Sequence, residues 1–190
     1  MRTFLLLFPI LLFAQQPKKL VDSTTQNLVK LENVTISAIR AGINTPISFN
    51  NVEKEQIEIE NIGKDLPMVL KNLPSVVTTS DAGAGVGYTG IRIRGSDASR
   101  VNITINGFPF NDAESHGTYW VNLPDFVSSV EKIQVQRGVG TSTNGSGAFG
   151  ASININTENP SKNPFSSISS SFGSFATFKN TLKFSTGISD

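Results

Sequence analysis

Asp112, Glu114, Ser115 and His116 fall in one short stretch around the only histidine of the chain. A serine beside a histidine in sequence is not a nucleophile–base pair, because a triad is assembled in space from separate segments. One imidazole among carboxylates also lacks the ligand set of a transition-metal site. The stretch therefore reads as a polar loop, to which His116, Tyr119 and Trp120 add hydrogen-bonding and stacking surface. Two strings carry the spacing G-x-G-x-x-G, Gly85 to Gly90 (GVGYTG) and Gly145 to Gly150 (GSGAFG). A dinucleotide loop must follow a strand and open a helix. Each of these strings leads into a strand pattern instead, so no cofactor, metal or enzymatic constellation is expected. What remains is charge. Arg92 and Arg94 alternate with Ile91 and Ile93, and Arg137 ends the run that starts at Ile133. A guanidinium stays charged and presents a planar fork that fits a carboxylate.

The elements that must position these residues follow from periodicity. Ile133 and Val135 alternate with Lys132, Gln134 and Gln136, and Ile153 and Ile155 with Asn154 and Asn156. Two half-buried strands are expected there, on either side of a glycine-rich stretch that starts at Gly138. Gly90 to Gly95 and Val101 to Ile105 alternate in the same way, and Asn106-Gly107 marks a turn. Leu66, Val69, Leu70 and Leu73 are spaced as one helical face behind Asp65 as N-cap, with Pro67 in the first turn and Pro74 as the stop. Ser75 to Thr79 reads as a strand, and Asp81 to Gly90 and residues 111–123 as loops. Helix and strands mixed over residues 46–157 predict one small α+β domain. After Pro160 and Pro164 the character changes. Phe178, Leu182 and Phe184 alternate with Lys179, Thr181, Lys183 and Ser185. That pattern fits a transmembrane β-hairpin and an ordinary surface hairpin equally well.

The 16 basic and 15 acidic residues give a net charge of +1 with no basic stripe, so nucleic acid is not an expected partner. Arg2, the apolar run Phe4 to Phe13 and Ala14 read as a signal peptide over residues 1–14, too short to span a bilayer as a helix. Residues 15–43 read as a polar, flexible leader interrupted by the β-prone segment LENVTISA, Leu31 to Ala38. The absence of cysteine leaves no disulfide framework.

In order along the chain stand LENVTISA, the leucine-rich helix before Pro74, Ile91-Arg92-Ile93-Arg94-Gly95, Asn106-Gly107, Gln136-Arg137-Gly138, the glycine-rich stretch and Ile153-Asn154-Ile155. This order resembles the plug domain of TonB-dependent outer-membrane receptors, with residues 31–158 as TonB box plus plug and 165–187 as the first barrel hairpin. The resemblance implies a plug over residues 44–158 with a mixed four-stranded-type sheet and short helices. A linker and the first strands of an incomplete transmembrane antiparallel β-barrel would follow over 159–190.

The same resemblance implies partners and site residues. Leu31, Glu32, Asn33, Val34, Thr35, Ile36, Ser37 and Ala38 are expected to bind a TonB-type energising protein by adding a strand to its sheet. Arg92, Arg94 and Arg137 are expected to lock the plug to carboxylates of the barrel wall. Asp81, Tyr88, His116, Tyr119 and Trp120 are expected to face substrate from the outer loops. The implied activity is energy-dependent uptake of a large nutrient at the outer membrane, a ferric siderophore first, with no enzymatic step and no cofactor. A soluble periplasmic plug-like binding module without transport is the alternative. A family barrel of about 22 strands at ~10 residues each needs roughly 220 residues. Residues 160–190 hold room for two strands, so the chain is expected to be the N-terminal portion of a receptor.

Overall fold

Alternation of apolar and polar residues builds the sheet at the centre of the molecule. The structure, a computed structural model, describes residues 40–42, 44–140, 144, 147–174 and 176–188. The expected signal peptide and the segment Leu31 to Ala38 lie outside these residues. All described residues belong to one unit, Thr35–Asp190. Its elements in chain order are β1 (Ser48–Glu53), α1 (Lys54–Glu60), α2 (Leu66–Val69), β2 (Val76–Ser80), β3 (Thr89–Ile93), β4 (Val101–Ile105), β5 (Phe108–Pro109), β6 (Val130–Arg137), β7 (Ala151–Thr157), β8 (Phe165–Phe172) and β9 (Phe178–Ser185).

The main sheet has the order β1-β6-β7-β4-β5. Strands β4 and β7 run parallel and the other pairs antiparallel, so the sheet is mixed, with four full strands and a two-residue edge. Register sorts the side chains into rows across the strands. Val52, Ile133, Ile155 and Ile105 form one row, and Val135, Ile153 and Ile103 lie in the next. This face packs on Ile57 of α1, Leu66 and Val69 of α2, Ile91 and Ile93 of β3, and Trp120. Burial of these large apolar side chains is the main stabilising term, at roughly 1.5–3 kcal/mol for each.

The opposite face is polar and, apart from the exposed Asn51 of β1, buried as well. Asn51, Gln134, Asn154 and Thr104 stand in one row, and Gln136, Ser152 and Asn102 in the next. Half-buried strands were expected here, yet Gln136 and Ser152 are 0% exposed. Hydrogen bonding makes burial of Gln134, Thr104 and Asn154 tolerable: Gln134 Nε2 donates to Asn51 Oδ1 at 2.9 Å and Thr104 Oγ1 to Asn154 Oδ1 at 2.6 Å, whereas the buried Ser152 Oγ has no hydrogen-bond partner among the described residues.

Three local features differ from expectation. The helix at Leu66 stops at Val69, and the chain continues in tight turns in which Leu70 N donates to Pro67 O and Leu73 N to Leu70 O. Asp65 stands at the N-cap position, but its side chain accepts from Thr89 Oγ1 at 2.9 Å and so ties the helix to β3 instead of capping it. Strand β1 and helix α1 add elements where the sequence is mostly polar, each with a single buried residue, Val52 and Ile57. Both glycine strings do lead into strands, β3 and β7.

Strands β8 and β9 form a separate antiparallel hairpin. Its two faces have opposite character. Ile168, Leu182, Phe172, Phe178 and Phe184 all lie on one face and are exposed. Ser167, Ser169, Ser171, Lys179, Thr181 and Lys183 lie on the other and line a cavity of about 370 Å³ shared with α1 and with Ser128 and Glu158. Among the described residues no helix is long and apolar enough to cross a membrane, which says nothing of strands.

Candidate functional site

The hairpin is held to the sheet domain by charge. Lys179 of β9 pairs with Asp125 at 2.5 Å, and its ammonium also donates to Asn61 Oδ1 at 3.0 Å and Ser128 Oγ at 2.9 Å. Four residues on, an even spacing that keeps one face of a strand, Lys183 pairs with Glu158 at 2.8 Å. Glu158 also takes Lys54 of α1 at 3.2 Å. Burial alone would raise the Glu158 carboxyl, but hydrogen bonds from Lys183 and Lys54 outweigh it and hold the group below its ordinary value. Lys54 is correspondingly raised, chiefly by its hydrogen bond to Glu158. Polar contacts of this kind fix a position without the apolar burial that would make separation costly.

Sequence reasoning missed these two lysines as docking groups. Their place on the polar side of the β9 alternation was the available signal. The arginines expected to do the locking are placed differently. Arg137 turns inward within the sheet domain, where its Nη2 donates to Ser48 Oγ at 2.7 Å and its Nη1 reaches Pro74 O at 3.4 Å. Arg92 and Arg94 are exposed. Arg94 and Gly95 both have positive φ, 52° and 75°, and close a turn from Ile93 to Ser96.

The loops expected to face substrate divide. Asp81, Tyr88, His116 and Tyr119 are exposed. Trp120 is not: at 3% exposure it belongs to the hydrophobic core, so its indole positions the loop from beneath and offers no stacking surface. Asp112 organises its own loop, accepting from Ser115 N at 2.7 Å, Ser115 Oγ at 2.8 Å and Glu114 N at 3.1 Å. These bonds, led by the one from the Ser115 backbone, lower its carboxyl. Among the described residues no three histidine, cysteine or acidic side chains gather as a metal site.

The loop after β2 meets the tip of the hairpin. Ile62, Lys64, Ala82, Val86, Phe172 and Thr177 line a cleft of about 750 Å³ between them. A neighbouring cleft of about 390 Å³ adds Gly87, Val121 and Pro124. His116 and Tyr119 line neither.

A mixed-sheet domain that binds the polar face of a hairpin through ion pairs, and leaves the apolar face open, has the build of a lumen-filling plug seated on the first strands of its barrel. The chain belongs to the TonB-dependent receptor plug family: the model of the TonB-dependent Receptor Plug Domain matches residues 41–152. The vitamin B12 transporter BtuB of Vibrio vulnificus is 30% identical over 152 residues, which are 80% of this chain and 23% of that protein. The probable TonB-dependent siderophore receptor PirA of Acinetobacter baumannii is 26% identical over 140 residues, 68% of this chain and 18% of that one. In structure, Pseudomonas aeruginosa FpvA bound to heterologous pyoverdines superposes with a TM-score of 0.60 at 18% identity, covering 74% of this chain and 18% of FpvA, a likeness of fold. The chain spans less than a quarter of the length of these curated relatives. Members of the family are outer-membrane transporters and receptors.

Proposed function

We propose that this chain supplies the plug and first wall hairpin of an outer-membrane receptor that takes up a large metal chelate, with a ferric siderophore as the cargo. The two-faced hairpin carries the reading. Apolar Phe178, Leu182 and Phe184 face outward where lipid would lie, and Lys179 and Lys183 face the plug. A relative named as a probable TonB-dependent siderophore receptor supports the cargo. A cobalamin cargo is the second reading, favoured by the transporter name of the 30% identical relative.

Residues 1–14 serve as the export signal, and residues 31–38 pair with a TonB-type energising protein in the periplasm. Arg92 and Arg94 are offered to carboxylates further round the wall. Asp81, Tyr88, His116 and Tyr119 meet the cargo. Disruption of the gene followed by uptake of radiolabelled ferric siderophores and cobalamin tests this. Loss of energy-dependent ferric siderophore uptake is expected. Loss of cobalamin uptake alone moves the cargo to the second reading. Recovery of the chain in the soluble periplasm, with both uptakes intact, contradicts the receptor role.

A further inference from the structure

Ala41 is paired to a side chain in the way a strand residue is paired to a neighbouring strand. Its N–H donates to Gln134 Oε1 at 2.8 Å, and Gln134 Nε2 donates back to Ala41 O at 3.0 Å. Both residues are buried. The second Nε2 hydrogen of Gln134 goes to Asn51 Oδ1 at 2.9 Å, and its Oε1 also accepts from Gln136 Nε2 at 3.0 Å. Two donors and two acceptor sites are thereby all used. Gln136 Oε1 in turn accepts from Asn144 Nδ2 at 2.9 Å, so the carboxamide that holds Ala41 is itself held from further along the chain. Beside this clasp, Arg40 Nη2 reaches Asn156 Oδ1 at 3.0 Å and the carbonyls of Lys132 and Asn154 at 3.4 Å.

Register shows how a load would travel. Arg40 lies level with Lys132 and Asn156, Ala41 level with Gln134, and β1 begins at the pair Ser48–Arg137 and returns to Glu53–Lys132. The chain therefore crosses the polar face in one direction and folds back along the edge of β6 in the other. Tension applied ahead of Arg40 meets the Arg40 and Ala41 contacts first. Beyond them it reaches β1 at Ser48 and opens the ladder rung by rung.

We propose that Gln134 is the latch of the N-terminal thread: its carboxamide sets how firmly residues 40–41, and β1 behind them, are held to the plug. The groups freed on release are the Gln134 carboxamide, the Asn156 side chain and the carbonyls of Lys132 and Asn154, which water can replace at little cost. The inference rests on the proposed pairing of residues 31–38 with an energising protein that pulls on them, but its test does not require that protein.

Hydrogen exchange measured on the full chain provides that test. In Gln134→Met the Ala41 amide is expected to exchange about tenfold faster or more, while Ile133, Val135 and Ile153 stay protected. Gln134→Glu keeps the acceptor and loses the donor, and should fall between. Asn144→Ala should speed Ala41 by a smaller factor, since Asn144 reaches Gln134 through Gln136. In an optical-tweezers pull on the N-terminus, Gln134→Met should lower the first rupture force and leave the later ones unchanged. An unchanged Ala41 rate in Gln134→Met overturns the proposal, and if that variant does not fold, an unchanged rate in Asn144→Ala does so. Failure of residues 31–38 to bind the energising protein would remove the functional reading and leave the latch result standing.

Discussion

Lys183 of β9 and Glu158, just past the end of β7, are joined at 2.8 Å. The link connects a strand whose other face is open and apolar to a domain whose own core is complete. The same carboxylate holds Lys54 at 3.2 Å, so one group on the plug serves both the wall hairpin and α1. Glu158→Gln should weaken hairpin docking by on the order of 1 kcal/mol, as for a partly exposed charge-assisted pair. Amide exchange in β9 should quicken while β6 stays protected. Equal protection of β9 in the variant would show that the pair contributes nothing.

Acid should reproduce that loosening. The folded Glu158 carboxyl titrates below its ordinary 4.5, so the folded chain binds this proton less readily than the unfolded chain. Its contribution is present above that value and is lost as pH falls through the lower folded one. Lys54, raised above 10.5, contributes below that value and loses its contribution only as pH rises through its higher folded one. Between these limits docking should not respond to pH. Chemical shifts of β9 followed into acid should show a step that shrinks in Glu158→Gln. A step of full size in the variant would assign it to another group.

Trp120 and its neighbour Tyr119 separate core from surface. Trp120 is 3% exposed and Tyr119 50%. Trp120→Ala should cost about 3–5 kcal/mol by opening a cavity in the core. Tyr119→Ala should leave the denaturation midpoint almost unmoved and lower cargo affinity. Urea unfolding of both variants decides, and equal destabilisation would contradict the placement.

Gly150 is a contact glycine. A Cβ there would collide with the Ser96 side chain and lie 3.2 Å from the Arg100 carbonyl, whereas a Cβ on Gly147 meets nothing within 4 Å. Gly150→Ala should destabilise by about 1–3 kcal/mol and Gly147→Ala by much less. Thermal unfolding of the pair checks this, and matching melting temperatures would refute it.

Much of the fold was legible because alternation is a local signal. Ile133 and Val135, Ile153 and Ile155, and Phe178, Leu182 and Phe184 mark their strands without knowledge of any partner. Strand β1 and helix α1 were not legible, since Val52 and Ile57 are single buried residues in polar surroundings and define no period. Gln134 and Gln136 read as solvent-facing because nothing local reveals that Ala41 and Asn144 bond to them. The same holds for Asp125 and Glu158. Their lysine partners lie 54 and 25 positions further along, and only the folded chain brings each pair together.

The seating of the plug against an envelope barrel is tested most directly at two adjacent residues, Thr181 and Leu182. Residues 1–190 hold no cysteine, so a nitroxide label at either position has no competing site within this chain. In outer membranes of cells carrying the gene, a label at Leu182→Cys should be relaxed by lipid-soluble oxygen and shielded from a water-soluble nickel chelate. A label at Thr181→Cys should be buried from oxygen in the lipid phase. Equal exposure of both labels to the nickel chelate would mean that the hairpin lies in water and that the plug-and-wall account is wrong.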